Sequence, residues 1–161
     1  MLLKAFAEVS IDFPDWQLVI IGEGSERQSL LNLADALLIK HKVHLPGITS
    51  NVESWMARAG LVVQPSRYEG FSNVVLEALG MGCTVISSDC SGARDLIDDG
   101  VSGSIVPVND IKSLVSEMND LMRNRLLREQ YGMAGLMVRH KYSYTNVMTL
   151  WESLIQSTVV K

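Results

Sequence analysis

The sequence predicts an α/β domain, a three-layer Rossmann-like arrangement with a mostly parallel sheet. Short apolar, strand-like runs alternate with helical patterns along the chain, the order expected when each parallel strand is followed by a crossover helix. The chain has 161 residues, 47% of them apolar and 20% charged, which suits one folded domain with a sizeable core and argues against disorder. No repeat, low-complexity tract or linker interrupts it.

The elements follow in order. Met1 to Val9 reads as a helix with Leu2, Leu3, Phe6 and Val9 on one face. Trp16 to Ile21 is a buried strand, and Gly22-Glu23-Gly24-Ser25 a turn. Ser25 or Glu26 to about Lys40 is a helix, with Leu30, Leu33, Ala34 and Leu37 at helical spacing. Val43 to Leu45 is a short strand ended by Pro46-Gly47. Asn51 to Ala59 is a short helix that Asn51 can cap. Leu61 to Gln64 is a strand, and Pro65-Ser66 opens a loop that leads to a helix near Asn73. Thr84 to Ser87 is a strand, Gly92 to Ile97 one or two helical turns, and Gly103 to Val106 a strand closed by Pro107. A helix from Asp110 to Met122 follows, capped by Asn109 or Asp110. Two more helices run over Arg125–His140 and Tyr144–Ser157.

Composition removes several classes of function. A net charge of −4 disfavours a nucleic-acid groove or a polybasic membrane patch. No apolar run approaches a membrane-spanning length, and Met1-Leu2-Leu3-Lys4 leads straight into an amphipathic pattern, not a leader peptide. Cys83 and Cys90 form no metal-type spacing and read as buried thiols on either side of a strand, which fits a cytoplasmic chain. His44 reads as structural, and His41 and His140 as solvated. Met118, Met122, Met133, Met137 and Met148 fall at core-like spacings. Asp95, Asp98 and Asp99 before Gly100 read as a helix end and turn. Tyr142, Tyr144 and Trp151 read as docking aromatics.

The most informative stretch is Glu69 to Glu77. Glu69 ends the strand-to-helix turn PSRYEGFSN, and Glu77 is the only charge in NVVLEALGMG. A helix apolar on nearly every side reads as buried. A carboxylate in it then needs a hydrogen-bond partner, from the protein or from a polyhydroxylated ligand. In parallel sheets ligands bind beyond the carboxyl ends of the strands. Three loops leave those ends: Gly22-Glu23-Gly24, Gly47-Ile48-Thr49 and Ser66 to Ser72. The helix starting near Asn73 aims free N–H groups at the same place, which suits phosphate. Gly22-Glu23-Gly24 by itself is equally a tight turn.

At these residues the chain resembles a known family. Glu69 and Glu77 within PSRYEGFSNVVLEALGMGCTVISSD are similar to the signature of retaining GT-B glycosyltransferases of the GT4 family, the glycosyl transferases group 1. The blocks LVIIGEGSER, VHLPGITSNVESWMARAGLVVQPS, ARDLIDDGVSGSIVPVND and YGMAGLMVRHKYSYTNVMTLWESLI match it in order and spacing, so the resemblance covers essentially the whole chain.

The resemblance implies a domain, residues 1–161, that binds a nucleotide diphosphate-sugar donor, a UDP-sugar in preference to a GDP-sugar. It implies a catalytic Glu69 touching hydroxyls of the transferred sugar. Gly70, Phe71, Ser72, Asn73 and Val74 present N–H groups to sugar and diphosphate, and Glu77 accepts from the ribose. Ile48 and Thr49 lie against the base, and Gly22 and Glu23 line the crevice floor. No metal, cofactor or protein nucleophile is implied, because the leaving diphosphate takes the acceptor's proton. A saccharide or lipid-linked acceptor sits on another, N-terminal domain. The parent enzyme is implied to be cytoplasmic, at the inner face of a membrane.

The chain departs from the family pattern at its start. The family's acceptor domain, first strand and the Arg and Lys that clamp the diphosphate all precede the position of Met1. The expectation is a part of an enzyme, inactive alone, with a break in the sheet between Leu18–Ile21 and Leu61–Gln64 and exposed strand edges that favour self-association. Arg67 is the nearest cation to the motif. The alternative is a non-catalytic module that binds a nucleotide or a partner through the same crevice. A dinucleotide-dependent oxidoreductase is disfavoured, since Gly22-Glu23-Gly24-Ser25-Glu26-Arg27 lacks the third glycine of that fingerprint.

Overall fold

The computed structural model describes residues 1–159 and nothing of the Val159 side chain. Five strands, β1 (Leu18–Ile21), β2 (Val43–Gly47), β3 (Val62–Gln64), β4 (Val85–Ser88) and β5 (Ser104–Val106), are all paired in parallel. The helices are α1 (Leu2–Val9), α2 (Arg27–Ala36), α3 (Val52–Met56), α4 (Asn73–Gly80), α5 (Ala93–Leu96), α6 (Ile111–Arg123), α7 (Arg125–Gly135), α8 (Val138–Lys141) and α9 (Tyr144–Val159).

The strands do not form one sheet. β1 pairs with β2, and β3, β4 and β5 pair in that order; among the described residues nothing joins β1 to β3. The break falls where the sequence places it. β4 sends Ile86 into a core with α1 and α6, and Val85 into a second core with Met56 of α3 and Val75, Ala78 and Leu79 of α4. These two cores on opposite faces make the three layers. Leu18 and Ile20 of β1 and Val63 of β3 pack on the first core as well, so both halves share it.

Several elements differ from the sequence expectation. β1 was expected buried and is half-buried throughout. The second helix stops at Ala36, and Leu38 turns left-handed at φ 60° before a short 3₁₀ turn at Lys40–Lys42. β2 runs on through Pro46 and ends at Gly47, two residues beyond the expected Leu45. β2 is an edge strand, where a missing N–H is tolerated, and the register slips between Val19 and Ile21 opposite it. The expected long helix over Arg125–His140 is broken at Leu136–Met137, where the bonds tighten to Met137 N to Ala134 O and Arg139 N to Leu136 O. Gly132 and Gly135 press there against Gly82 and Leu79, so the chain bends around α4.

Met118 and Met122 are core residues, but Met133, Met137 and Met148 are exposed, contrary to their spacing. Tyr144 and Trp151 are also exposed and undocked. α9 carries them on an apolar surface with Leu150, Leu154 and Ile155.

Candidate functional site

The loops after β1 and β2 are tied together. Gly22 N donates to Gly47 O at 3.0 Å. The Arg27 guanidinium donates to Leu45 O at 2.7 Å and reaches Glu23 Oε1 at 3.5 Å. Gly47 has φ +86°, and a Cβ there would stand 2.6 Å from Glu23 Oε1. The positive φ favours glycine here; the close contact is with the far end of a flexible side chain, which can swing aside. Beyond it Ile48 is 81% exposed, and Thr49 Oγ1 accepts from Asn51 N at 3.2 Å. Asn51 in turn caps α3 through Ser54 N, as the sequence predicts.

The second group surrounds α4. Ser72 is its N-cap, accepting from Val75 N at 3.3 Å. That bond leaves the N–H groups of Asn73 and Val74 without a partner among the described residues. Glu69 is half-buried, and its Oε1 accepts from Gln64 Nε2 and from Ser66 Oγ, both at 3.1 Å. Gln64 also donates to Ser66 at 2.9 Å, closing a triangle that fixes the carboxylate at the end of β3. Neither Gln64 nor Ser66 stands out in the sequence, because their role depends on the loop folding back on itself.

Glu77 is a correction. The apolar composition of α4 predicts a helix buried all round, but the helix buries Val75, Ala78 and Leu79 and exposes Asn73, Val74 and Glu77. Apolar Val74, 42% exposed, lies on the open face. Glu77 is therefore a solvated acid one turn below the free N–H groups, with no burial penalty to offset. Arg67 is exposed and makes no ion pair among the described residues; neither do Glu69 and Glu77.

Phe71, Gly70 and the rest of the loop rest on Tyr142, which docks as the sequence suggests, on the buried Cys90, and on Ser91, which the sequence does not single out. The ring of Tyr142 meets Phe71 edge-on, centroids 5.5 Å apart, and its hydroxyl donates to Asp95 O at 2.9 Å. Ser91 Oγ donates to Glu69 O at 2.7 Å, and Cys90 Sγ to Ser66 O at 3.3 Å. Both cysteines are free and buried, and burial pushes the Cys83 thiol up. Among the described residues no group of three His, Cys, Asp or Glu gathers as a metal site, and no helix is long and apolar enough to cross a membrane. An open cavity of about 640 Å³ lies over β1 and β2 between Val19, His44, Pro46 and Trp55, and contains none of the expected site residues.

Gly22, Glu23, Ile48 and Thr49 thus lie in the loops after β1 and β2, while Glu69 to Ser72 lie in the loop after β3 and Asn73, Val74 and Glu77 in α4. The two groups stand at carboxyl ends of parallel strands on either side of the break.

The class is a Rossmann-like α/β domain. Residues 1–136 match the glycosyl transferases group 1, and the chain belongs to that family. It is 35% identical over 132 residues, 81% of its length, to the N-acetylgalactosamine-N,N'-diacetylbacillosaminyl-diphospho-undecaprenol 4-alpha-N-acetylgalactosaminyltransferase of Campylobacter jejuni, covering 35% of that protein. It is 29% identical over 150 residues, 92% of its length, to the poly(glycerol-phosphate) alpha-glucosyltransferase of Bacillus subtilis, covering 22% of it. Its fold matches TarM of S. aureus, solved as a variant with fondaparinux, alpha-GlcNAc-glycerol and UDP. The TM-score is 0.89 at 24% identity, over 95% of this chain and 31% of that one. The chain spans less than half the length of each.

Proposed function

We propose that this chain is the donor-binding half of a retaining glycosyltransferase, taking a sugar from a nucleotide diphosphate-sugar to a hydroxyl acceptor, and inactive alone. One observation carries the reading. A carboxylate fixed by Gln64 and Ser66, two free N–H groups at a capped helix start and an open second carboxylate, Glu77, occur in the nine residues from Glu69 to Glu77, just past the end of β3. Such N–H groups suit phosphate oxygens. Two acids without a cationic partner suit sugar hydroxyls, which donate to them.

In this reading Glu69 meets the transferred sugar, and Gly70, Phe71, Ser72, Asn73 and Val74 hold sugar and diphosphate. Glu77 takes the ribose hydroxyls. Ile48, whose side chain stands free, and Thr49 cover the base, with Gly22 and Glu23 beneath. A UDP-sugar is favoured, in keeping with the UDP bound in TarM. A lipid-linked acceptor at the inner face of a membrane is in keeping with the diphospho-undecaprenol in the name of the C. jejuni relative. Transfer needs both reactants in one geometry, so an acceptor-binding domain must join this one. The open edges of β1 and β3 favour a second reading, a module that docks a partner without catalysing transfer.

The test is an NMR titration with UDP-glucose and GDP-mannose. Amide shifts confined to Gly22–Glu23, Gly47–Thr49 and Glu69–Glu77 are expected, with Glu77→Gln weakening binding about ten- to a hundredfold, the loss of one charge-assisted hydrogen bond. Shifts elsewhere, or an unchanged affinity in Glu77→Gln, sink the assignment. Mixing with a separately expressed acceptor domain then divides the two readings by whether sugar transfer appears.

A further inference from the structure

We propose that Ser91 and Gly92 are positioning residues that set the height and angle of the Glu69–Phe71 loop. The inference rests on the donor reading above for its functional meaning, though not for its geometry.

β4 is the firmest point near the loop. All four of its residues are buried, and it has a neighbour on each side. The turn that leaves it is closed on itself. Cys90 N donates to Ser88 O at 2.7 Å, and Ala93 N to Cys90 O at 2.9 Å. Across the turn, the Arg94 guanidinium grips both oxygens of Asp89 at 2.8 and 2.7 Å and holds that carboxyl below the usual range.

This turn reaches the loop at three places. Cys90 Sγ bonds Ser66 O, and Ser91 Oγ bonds Glu69 O. Gly92 lies flat against the loop backbone. A Cβ there would stand 2.8 Å from Phe71 Cα and 2.9 Å from Gly70 C, and closer still to Gly70 O. All three are backbone atoms, so no side-chain rotation relieves the clash. Gly92 has φ −85° and ψ −7°, which any residue adopts. Its glycine is therefore required by space and not by conformation.

The bond to Glu69 O has a directional consequence. In a trans peptide the carbonyl and the next N–H point opposite ways. Anchoring Glu69 O on Ser91 turns the Gly70 N–H away from the β4 turn, toward the open side. Gly92 meanwhile lets the loop settle onto β4, so the depth of Glu69 is set from below. Neither residue touches a reacting atom.

The experiment compares the full chain with Ser91→Ala, Ser91→Thr and Gly92→Ala. It reads backbone ¹⁵N order parameters at Gly70 and Phe71 without ligand, affinity for UDP-glucose against uridine, and the unfolding midpoint. Uridine carries only the base and ribose, the groups assigned to Ile48, Thr49 and Glu77. Gly92→Ala is expected to lower the order parameter at Gly70 from about 0.85 to below about 0.6 and to weaken UDP-glucose about tenfold more than uridine. Ser91→Ala should do the same more weakly, and Ser91→Thr should restore both. If Gly92→Ala does not fold, the Ser91 pair decides. Equal loss of both ligands, or an unchanged order parameter at Gly70 in the variants, overturns the proposal. If the wild type binds neither ligand, the donor reading fails, and the order parameter at Gly70 still decides whether the clamp exists.

Discussion

β3 and β4 are neighbours in one sheet, yet their surroundings differ completely. β4 is paired on both edges, and its residues are all buried, Val85 facing one core and Ile86 the other. β3 is paired on one edge only, and its three residues are half-buried, like the four of β1 across the break. β4, Val-Ile-Ser-Ser, is the least apolar of the three strands and the most buried. Their difference in burial comes from the number of neighbours and not from side-chain character. An open edge also leaves backbone N–H and C=O groups facing solvent, which invites pairing with another strand.

The largest expected effect is in hydrogen exchange. Amides of β4 should open only with global unfolding, while edge-facing amides of β1 and β3 should exchange on the order of a hundredfold faster. Uniform protection across β1, β3 and β4 would break the comparison. Next comes a matched pair of substitutions. Val85→Ala removes two methyls from a fully buried site and should cost about 2–3 kcal/mol. Val63→Ala, in half-buried β3, should cost about 1 kcal/mol. Denaturant titration measures both, and equal losses would show that β3 is as enclosed as β4.

A third effect tests the break itself. A strand-forming segment fused ahead of Met1 can cross over α1 and lie parallel between β1 and β3. It is expected to raise the unfolding midpoint on the order of 5 °C and to reduce self-association in sedimentation. No change in either would mean that the two edges cannot accept a strand together.

The smallest effect lies on the β4 side. Ser113, through its hydroxyl and its amide, holds the Asp110 carboxyl below the usual carboxylate range at the start of α6. A depressed folded pKa contributes stability that is complete above the unfolded value of about 3.9 and fades as pH falls through the folded one. The stability difference between the wild type and Asp110→Asn should therefore be present near pH 6 and shrink below about pH 4. A difference that grows on acidification contradicts the assignment.

Local signals in the sequence carried well. Asn51 caps α3, Asp110 caps α6, and a helix starts at Asn73 after the loop that holds Glu69. Each depends on residues a few positions apart. The burial expected for α4 around Glu77 fails because apolar content is not burial: a face can be apolar at Val74 while remaining open. The break at Leu136–Met137 carries no glycine or proline of its own; it arises where Gly132 and Gly135 meet Gly82 and Leu79, far away in sequence. Ser91 and Gly92 were illegible for the same reason. They act on residues about a turn of sheet and helix earlier, through contacts that only the folded chain brings together.

Tyr142 gives the C-terminal helix a mechanical meaning. It is the last anchored aromatic before α9, with its ring on Phe71 and its hydroxyl on Asp95 O, while Lys141 Nζ bonds the same carbonyl at 2.8 Å. The 16 residues of α9 extend about 24 Å from that anchor. The helix is a long arm with its fulcrum at Tyr142 and its short end at Phe71. The one aromatic pair at its base is the contact by which a load on its apolar surface would reach the loop that carries Glu69.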